Sequence, residues 1–203
     1  MTEEFENQPM PESGEPDVEM EEKQPSRGAE LYEWLQMLLC CVVAAVVVFN
    51  CFARLSRVDG QSMDYTLEHN ELLLVWSLGY SPKQGDIVII NKTTAEFLGE
   101  HAIVKRVIAT GGQTVDIDYA SGTVYVDGEA LDEPYIAEEM YLPASPNMQQ
   151  THFEVPEDEV FVMGDNRNHS TDSRDDRLGT IHEDYVLGRA VLALFPVSKF
   201  GTL

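Results

Sequence analysis

Three groups of residues carry types and spacings suited to chemistry. The first is Gly60-Gln61-Ser62-Met63. A glycine two positions before a serine permits a tight backbone that exposes both the hydroxyl and the serine's own N–H. That arrangement suits a nucleophile whose backbone amide also donates to a developing oxyanion. The second is Lys105, within Ala102-Ile103-Val104-Lys105-Arg106-Val107-Ile108-Ala109. Strand alternation puts Ile103, Lys105, Val107 and Ala109 on one face and Val104, Arg106 and Ile108 on the other. A lysine on an apolar face loses solvation, which lowers its pKa from about 10.4. A neutral amine near pH 8 is a competent general base for a serine hydroxyl. Taken separately, each group also has a plainer reading: a serine in an ordinary turn, and an edge-strand or snorkelling lysine.

The third group is Gly164-Asp165-Asn166-Arg167-Asn168-His169-Ser170-Thr171-Asp172-Ser173-Arg174, directly after an apolar run at 160–163. So dense a polar cluster at a strand end is either a solvated loop or a network that holds a site. Asp172 and Arg174 can form a charge-assisted pair, and Ser170 can orient a nearby amine. Other common constellations are missing. There is no phosphate loop, no G-x-S-x-G elbow and no H-E-x-x-H pair. The histidines at 69, 101, 152, 169 and 182 lack metal-ligand spacing, so no metal site is expected. His169 or His101 as the base of a Ser-His-Asp arrangement remains the rival mechanism.

The elements that must position these groups divide the chain into a tail, an anchor and a domain. Residues 1–33 hold eleven acids against Lys23 and Arg27, with prolines at 9, 11, 16 and 25. Such a segment buries too little apolar surface to offset chain entropy and reads as a disordered acidic tail. The run 34–53, WLQMLLCCVVAAVVVFNCFA, contains no charged residue. About 20 apolar residues are what a helix needs to cross a hydrocarbon core of roughly 30 Å. A cleaved signal peptide fits less well, because the preceding region is long and acidic and no small-x-small site follows. Lys23 and Arg27 on one side balance Arg54 and Arg57 on the other, so the charge rule assigns no orientation.

Residues 54–203 form the remaining domain, with 25 acids and 11 bases. All three cysteines (Cys40, Cys41, Cys51) lie in the apolar run, so the domain contains no disulfide. Its apolar pattern is mainly period two, in short runs at 71–76, 86–91, 102–109, 114–118, 123–126, 160–163 and 186–195. Gly111-Gly112 and Asp127-Gly128 mark turns, the latter a hairpin. The fold class is therefore mainly β. The net charge of −23 excludes a nucleic-acid partner, since phosphate contacts need clustered Lys and Arg.

Gly-x-Ser-Met, then Val-Lys-Arg-Val, then Gly-Asp-Asn-Arg-x-x-Ser-x-Asp-Ser-Arg, in that order behind one apolar span, resembles the type I signal peptidases. These are membrane-anchored serine proteases with a Ser/Lys dyad. Gly85-Asp86-Ile87-Val88 is similar to the family's Gly-Asp-hydrophobic strand. The resemblance implies a β-rich catalytic core with a smaller β region inserted at about 113–158, and no cofactor. It implies Ser62 as nucleophile, Lys105 as general base, and Ser170 as the group that hydrogen-bonds and orients the lysine. Asp172 and Arg174 would brace the site through a salt bridge. The Ser62 N–H would stabilise the oxyanion, since Gly60 has no hydroxyl where some members carry serine. Met63 would face lipid or line the substrate groove. The expected partners are preprotein signal peptides, the lipid bilayer and secretion machinery. The expected location is the cell membrane, single-pass, with the domain on the extracytoplasmic side. Three departures stand out: Tyr65 occupies a usual proline position, which removes a fixed φ beside the nucleophile; Ala109-Thr110-Gly111-Gly112 has glycine where a proline is common; and a slightly long, charged spacer, Asp175-Asp176-Arg177, separates Arg174 from Gly179. The reading from another class is a catalytically idle membrane-tethered β module acting in assembly of surface or secreted proteins.

Overall fold

The computed structural model describes residues 27–95, 101–136, 138–141 and 143–203. Most of the acidic segment, 1–26, lies outside the described residues. The first element is helix α1, Arg27–Cys51. It begins seven residues before the apolar run, so 27–33 are helical and do not belong to a tail. The reason is local: every helix-breaking proline of the segment lies upstream, at or before Pro25. The stretch RGAELYE is rich in helix formers, and Glu30 in the first turn complements the helix dipole. Twenty-five residues rise about 37 Å. Over Glu30–Val48 the mean hydropathy is 2.1, so the helix is long and apolar enough to cross a bilayer.

All strand pairings among the described residues are antiparallel. An eight-stranded sheet comprises β1 (Ala53–Arg57), β2 (Leu72–Trp76), β3 (Ile87–Ile90), β4 (Ile103–Thr110), β9 (Glu159–Met163), β10 (Ile181–His182), β11 (Val186–Phe195) and β12 (Gly201–Thr202). Its order is β1-β2-β11-β3-β4-β9-β10, with β12 paired to β11. A four-stranded sheet of order β7-β6-β5-β8 contains β5 (Thr114–Asp118), β6 (Thr123–Val126), β7 (Glu129–Ala130) and β8 (His152–Glu154). Asp127 and Gly128 both have positive φ, 52° and 81°, and close the two-residue hairpin between β6 and β7.

Each predicted strand is present. Those missed are β1, hidden against the end of the apolar run, and the very short β7, β8, β10 and β12. The alternation expected along β4 holds only part-way. A register shift against β9 falls between Val107 and Ala109. Beyond it Ile108 and Ala109 both pack into the core that joins the two sheets, with Val115, Phe153 and Phe161. Ala109 therefore does not share a face with Lys105, because an inserted residue reverses the in-out order.

Candidate active site

Strand β4 brings Lys105 into the interior. Val88 is its partner on β3, and the adjoining Arg106 pairs with Met163 at the end of β9. Lys105 is only 3% exposed. Its Nζ donates to Ser62 Oγ at 2.6 Å and to Val104 O at 3.0 Å. No carboxylate among the described residues forms an ion pair with it. Burial lowers its pKa to about 8; the charge of Asp172 opposes that shift, Arg174 reinforces it, and Asp165 opposes it.

Ser62 lies in the turn between β1 and β2. Met63 O accepts from Leu67 N at 2.8 Å and Gln61 O accepts from Asp64 N at 3.1 Å, which closes the backbone tightly around the serine. Gly60 enters this turn with φ of +99°, a conformation that favours glycine. Among the described residues the Ser62 N–H has no hydrogen-bond partner. An unpartnered N–H on the same residue as the attacking oxygen is suited to receive negative charge forming there.

The segment after β9 closes the site from the other side. Gly164 packs so closely that a Cβ there would lie 2.4 Å from Ser62 O and 2.3 Å from Ser170 Oγ. Asn166 N donates to Ser62 O at 3.0 Å. Behind these, Arg174 meets Asp172 in a fully buried bidentate pair, Nε to Oδ1 and NH2 to Oδ2, both at 2.8 Å. Asp172 also accepts from Gly164 N at 3.0 Å. Burial alone would raise the Asp172 pKa, but the Arg174 charge and hydrogen bonds outweigh it and hold the carboxyl below its usual range. The pair thus braces the Gly164 backbone that touches the nucleophile loop.

A second buried pair escaped the sequence reading. Asp165 takes Arg106 Nε at 2.8 Å and NH2 at 2.6 Å, and Thr66 Oγ1 donates to it at 2.6 Å. Arg106 NH1 reaches Gly85 O at 2.8 Å, and its guanidinium sits 4.0 Å from the centre of the Tyr135 ring. Asp165 therefore ties β4 to the turn carrying Ser62. The available signal was Arg106 itself, a charged residue beside Lys105 on a strand otherwise apolar through Ala109. The buried ion pair of Arg167 with Glu133 was likewise not anticipated.

A serine hydroxyl in contact with a desolvated lysine is an arrangement suited to proteolysis without a histidine. The family model described as signal peptidase, peptidase S26, matches residues 31–195. The chain is 35% identical over 187 residues to a probable signal peptidase I-1 of Synechocystis, covering 88% of this chain and 90% of that one. The chain belongs to the signal peptidase family. Identity to a signal peptidase I of Bacillus licheniformis is 34% over 186 residues, covering 88% of this chain and 96% of the relative. A crystal structure of a signal peptidase I from Enterococcus faecalis aligns over 55% of this chain and 98% of its own, at 28% identity and a TM-score of 0.43.

Within this signal peptidase, several expectations need correction. Met63 is 1% exposed and packs with Val58, Leu67, Val75 and Val104, so it neither faces lipid nor lines a groove. Its side chain anchors the loop from within. Ser170 is buried, but its Oγ forms no hydrogen bond with Lys105; among the described residues the group it acts on is the Asp172 carboxyl, which it helps to hold low. Neither His101 nor His169 is hydrogen-bonded to Ser62, and both are exposed. Tyr65 has φ of +78°, far from the value near −65° that proline imposes. The departure at this position thus goes with a different backbone conformation, beyond the loss of a restraint.

Proposed function

We propose that this signal peptidase is a membrane-bound serine endopeptidase that removes N-terminal signal peptides from exported preproteins through Ser62 and Lys105. The observation that carries this reading is the 2.6 Å contact of Ser62 Oγ with a Lys105 amine held near a pKa of 8. Neutral Lys105 takes the hydroxyl proton as Ser62 Oγ attacks the scissile carbonyl carbon. The oxyanion is held by the Ser62 N–H. As the carbon–nitrogen bond breaks, the lysine ammonium returns its proton to the departing amine, leaving an acyl-enzyme on Ser62. Water then attacks the ester with Lys105 again as base, and the signal peptide leaves with a new carboxyl terminus. Asp172 and Arg174 brace the site, and Gly60 shapes the turn.

Helix α1 anchors the chain once across the bilayer, with the domain on the extracytoplasmic side. The substrate's own apolar segment stays in the lipid, which presents its cleavage site at the surface alongside the secretion machinery. Protease accessibility of the domain in intact cells tests the orientation; a domain protected from external protease would reverse it. The activity is tested with purified protein and a preprotein. Wild type should release mature product, and Ser62→Ala should release none above background. Equal product from both would sink the assignment.

A further inference from the structure

Asn166 holds two consecutive carbonyl oxygens of the nucleophile loop. Its backbone N–H donates to Ser62 O and its side-chain Nδ2 donates to Gln61 O, each at 3.0 Å. The residue is 7% exposed, and its Oδ1 is buried without a partner among the described residues. The sense of the amide follows from its neighbour: turned over, Oδ1 would face Gln61 O, two acceptors with no proton between them.

The consequence lies in the geometry of a single peptide unit. The Gln61 carbonyl and the Ser62 N–H belong to the same planar trans peptide and point in opposite directions. Gln61 O also accepts from Asp64 N at 3.1 Å within the turn, and the Asn166 amide takes the same oxygen from across the site, so together the two donors fix where the Ser62 N–H points. That N–H has no partner of its own among the described residues to hold it. A hydrogen bond onto the carbonyl also polarises the amide, which makes the N–H a better donor. The second bond, to Ser62 O, fixes the next peptide plane and restrains the serine between two pinned carbonyls.

We infer that Asn166 is the positioning residue for the oxyanion donor, aiming the Ser62 N–H by gripping the far end of its peptide plane. The inference rests on the reading of Ser62 as nucleophile. It also accounts for a costly feature, a buried amide whose acceptor end is unpaired while its donor end is used.

Asn166→Ala removes the side-chain bond to Gln61 O while leaving the backbone bonds to Ser62 O and from Asp64 N, and Asn166→Asp keeps the shape but places a carboxylate oxygen against Gln61 O. Both are compared with wild type and Ser62→Ala on one preprotein, with rates taken per folded molecule. Deleting an oxyanion donor outright costs about 10²–10³ in kcat, so misaiming it should cost roughly 10–100-fold. KM should stay within about twofold, because the effect is confined to the transition state. The pH midpoint of kcat/KM should not move, since Lys105 is untouched. A kcat within about twofold of wild type in both variants, or a shifted pH midpoint, would overturn the inference. Ser62→Ala losing all activity in that same experiment would leave the nucleophile assignment intact. Turnover by Ser62→Ala would instead remove the reading on which the inference rests.

Discussion

Lys105 Nζ and Ser62 Oγ, 43 residues apart in the chain, lie 2.6 Å apart, and among the described residues the amine's other hydrogen bond goes to the Val104 carbonyl oxygen. Both partners are neutral, so no ion pair keeps the lysine charged and the burial penalty prevails. The drop from 10.5 to about 8 raises the neutral fraction at pH 7 by about 300-fold. That difference turns an ordinary surface-type cation into a usable base.

Activity should therefore follow the deprotonation of Lys105. Because the folded pKa is depressed, the amine is protonated and idle below about 8 and active above it. A plot of kcat/KM against pH should rise with a midpoint near 8, and Lys105→Ala should lose about 10²–10⁴-fold. A midpoint near 6.5, lost in a histidine variant, would point to an imidazole base instead.

Gly164→Ala tests the tight approach of β9 to the nucleophile turn. Its Cβ would meet Ser62 O at 2.4 Å and Ser170 Oγ at 2.3 Å, so one of the segments must move. Overpacking of this kind costs about 1–3 kcal/mol. Adding Ser170→Gly should restore part of the thermal stability but not the turnover, because the clash with Ser62 O persists. Full recovery of activity in the double variant would show that the serine is not displaced.

The Asp172–Arg174 pair should behave as a buried brace. Asp172→Asn leaves the guanidinium without its counter-charge and should destabilise the domain by about 3–5 kcal/mol in a denaturant titration near neutral pH. The folded pKa of Asp172 is depressed, so its stabilising effect is complete above the unfolded value of about 3.9 and fades as pH falls through the folded one. The difference between wild type and variant should accordingly narrow only in acid. A constant difference from neutral pH down through the acid range would count against the pair.

Tyr65 predicts an order of substitutions. A left-handed φ costs a non-glycine residue about 1–2 kcal/mol, which glycine avoids while losing about 0.5–1 kcal/mol of chain entropy. Tyr65→Gly should thus be nearly neutral, whereas Tyr65→Pro forces φ toward −65° and should lower the melting temperature and the turnover together. The reverse order would mean that this turn readily adopts a proline-compatible backbone.

Much of the fold follows from local pattern. Period-two runs of β-branched and apolar residues set the strands, the Asp127-Gly128 pair set a hairpin, and the uncharged run at 34–53 set a helix of membrane-crossing length. Its start was misplaced because the acidic charges of 30–33 looked like tail, although acids in a first helical turn are favourable. The candidate site was legible as three groups of residue types in a fixed order. Their roles were less so: Asp165, Asn166 and Arg106 do nothing distinctive in one dimension.

By itself the sequence determined most of the longer strands, that a lysine on an apolar strand face would hold its proton weakly, and which polar groups were available to it. Only the tertiary structure decided that β4 lies between β3 and β9, which sets Lys105 against Ser62. It also turned Met63 into the core, kept Ser170 Oγ off the Lys105 amine, and placed Asn166 on two carbonyls of a loop more than a hundred residues earlier. The physical reason is that periodicity reports local burial, whereas a contact between distant loops depends on sheet register. One bulge between Val107 and Ala109, or one glycine at 164 with no room for a methyl group, moves such a contact by ångströms while barely altering the pattern of apolar residues.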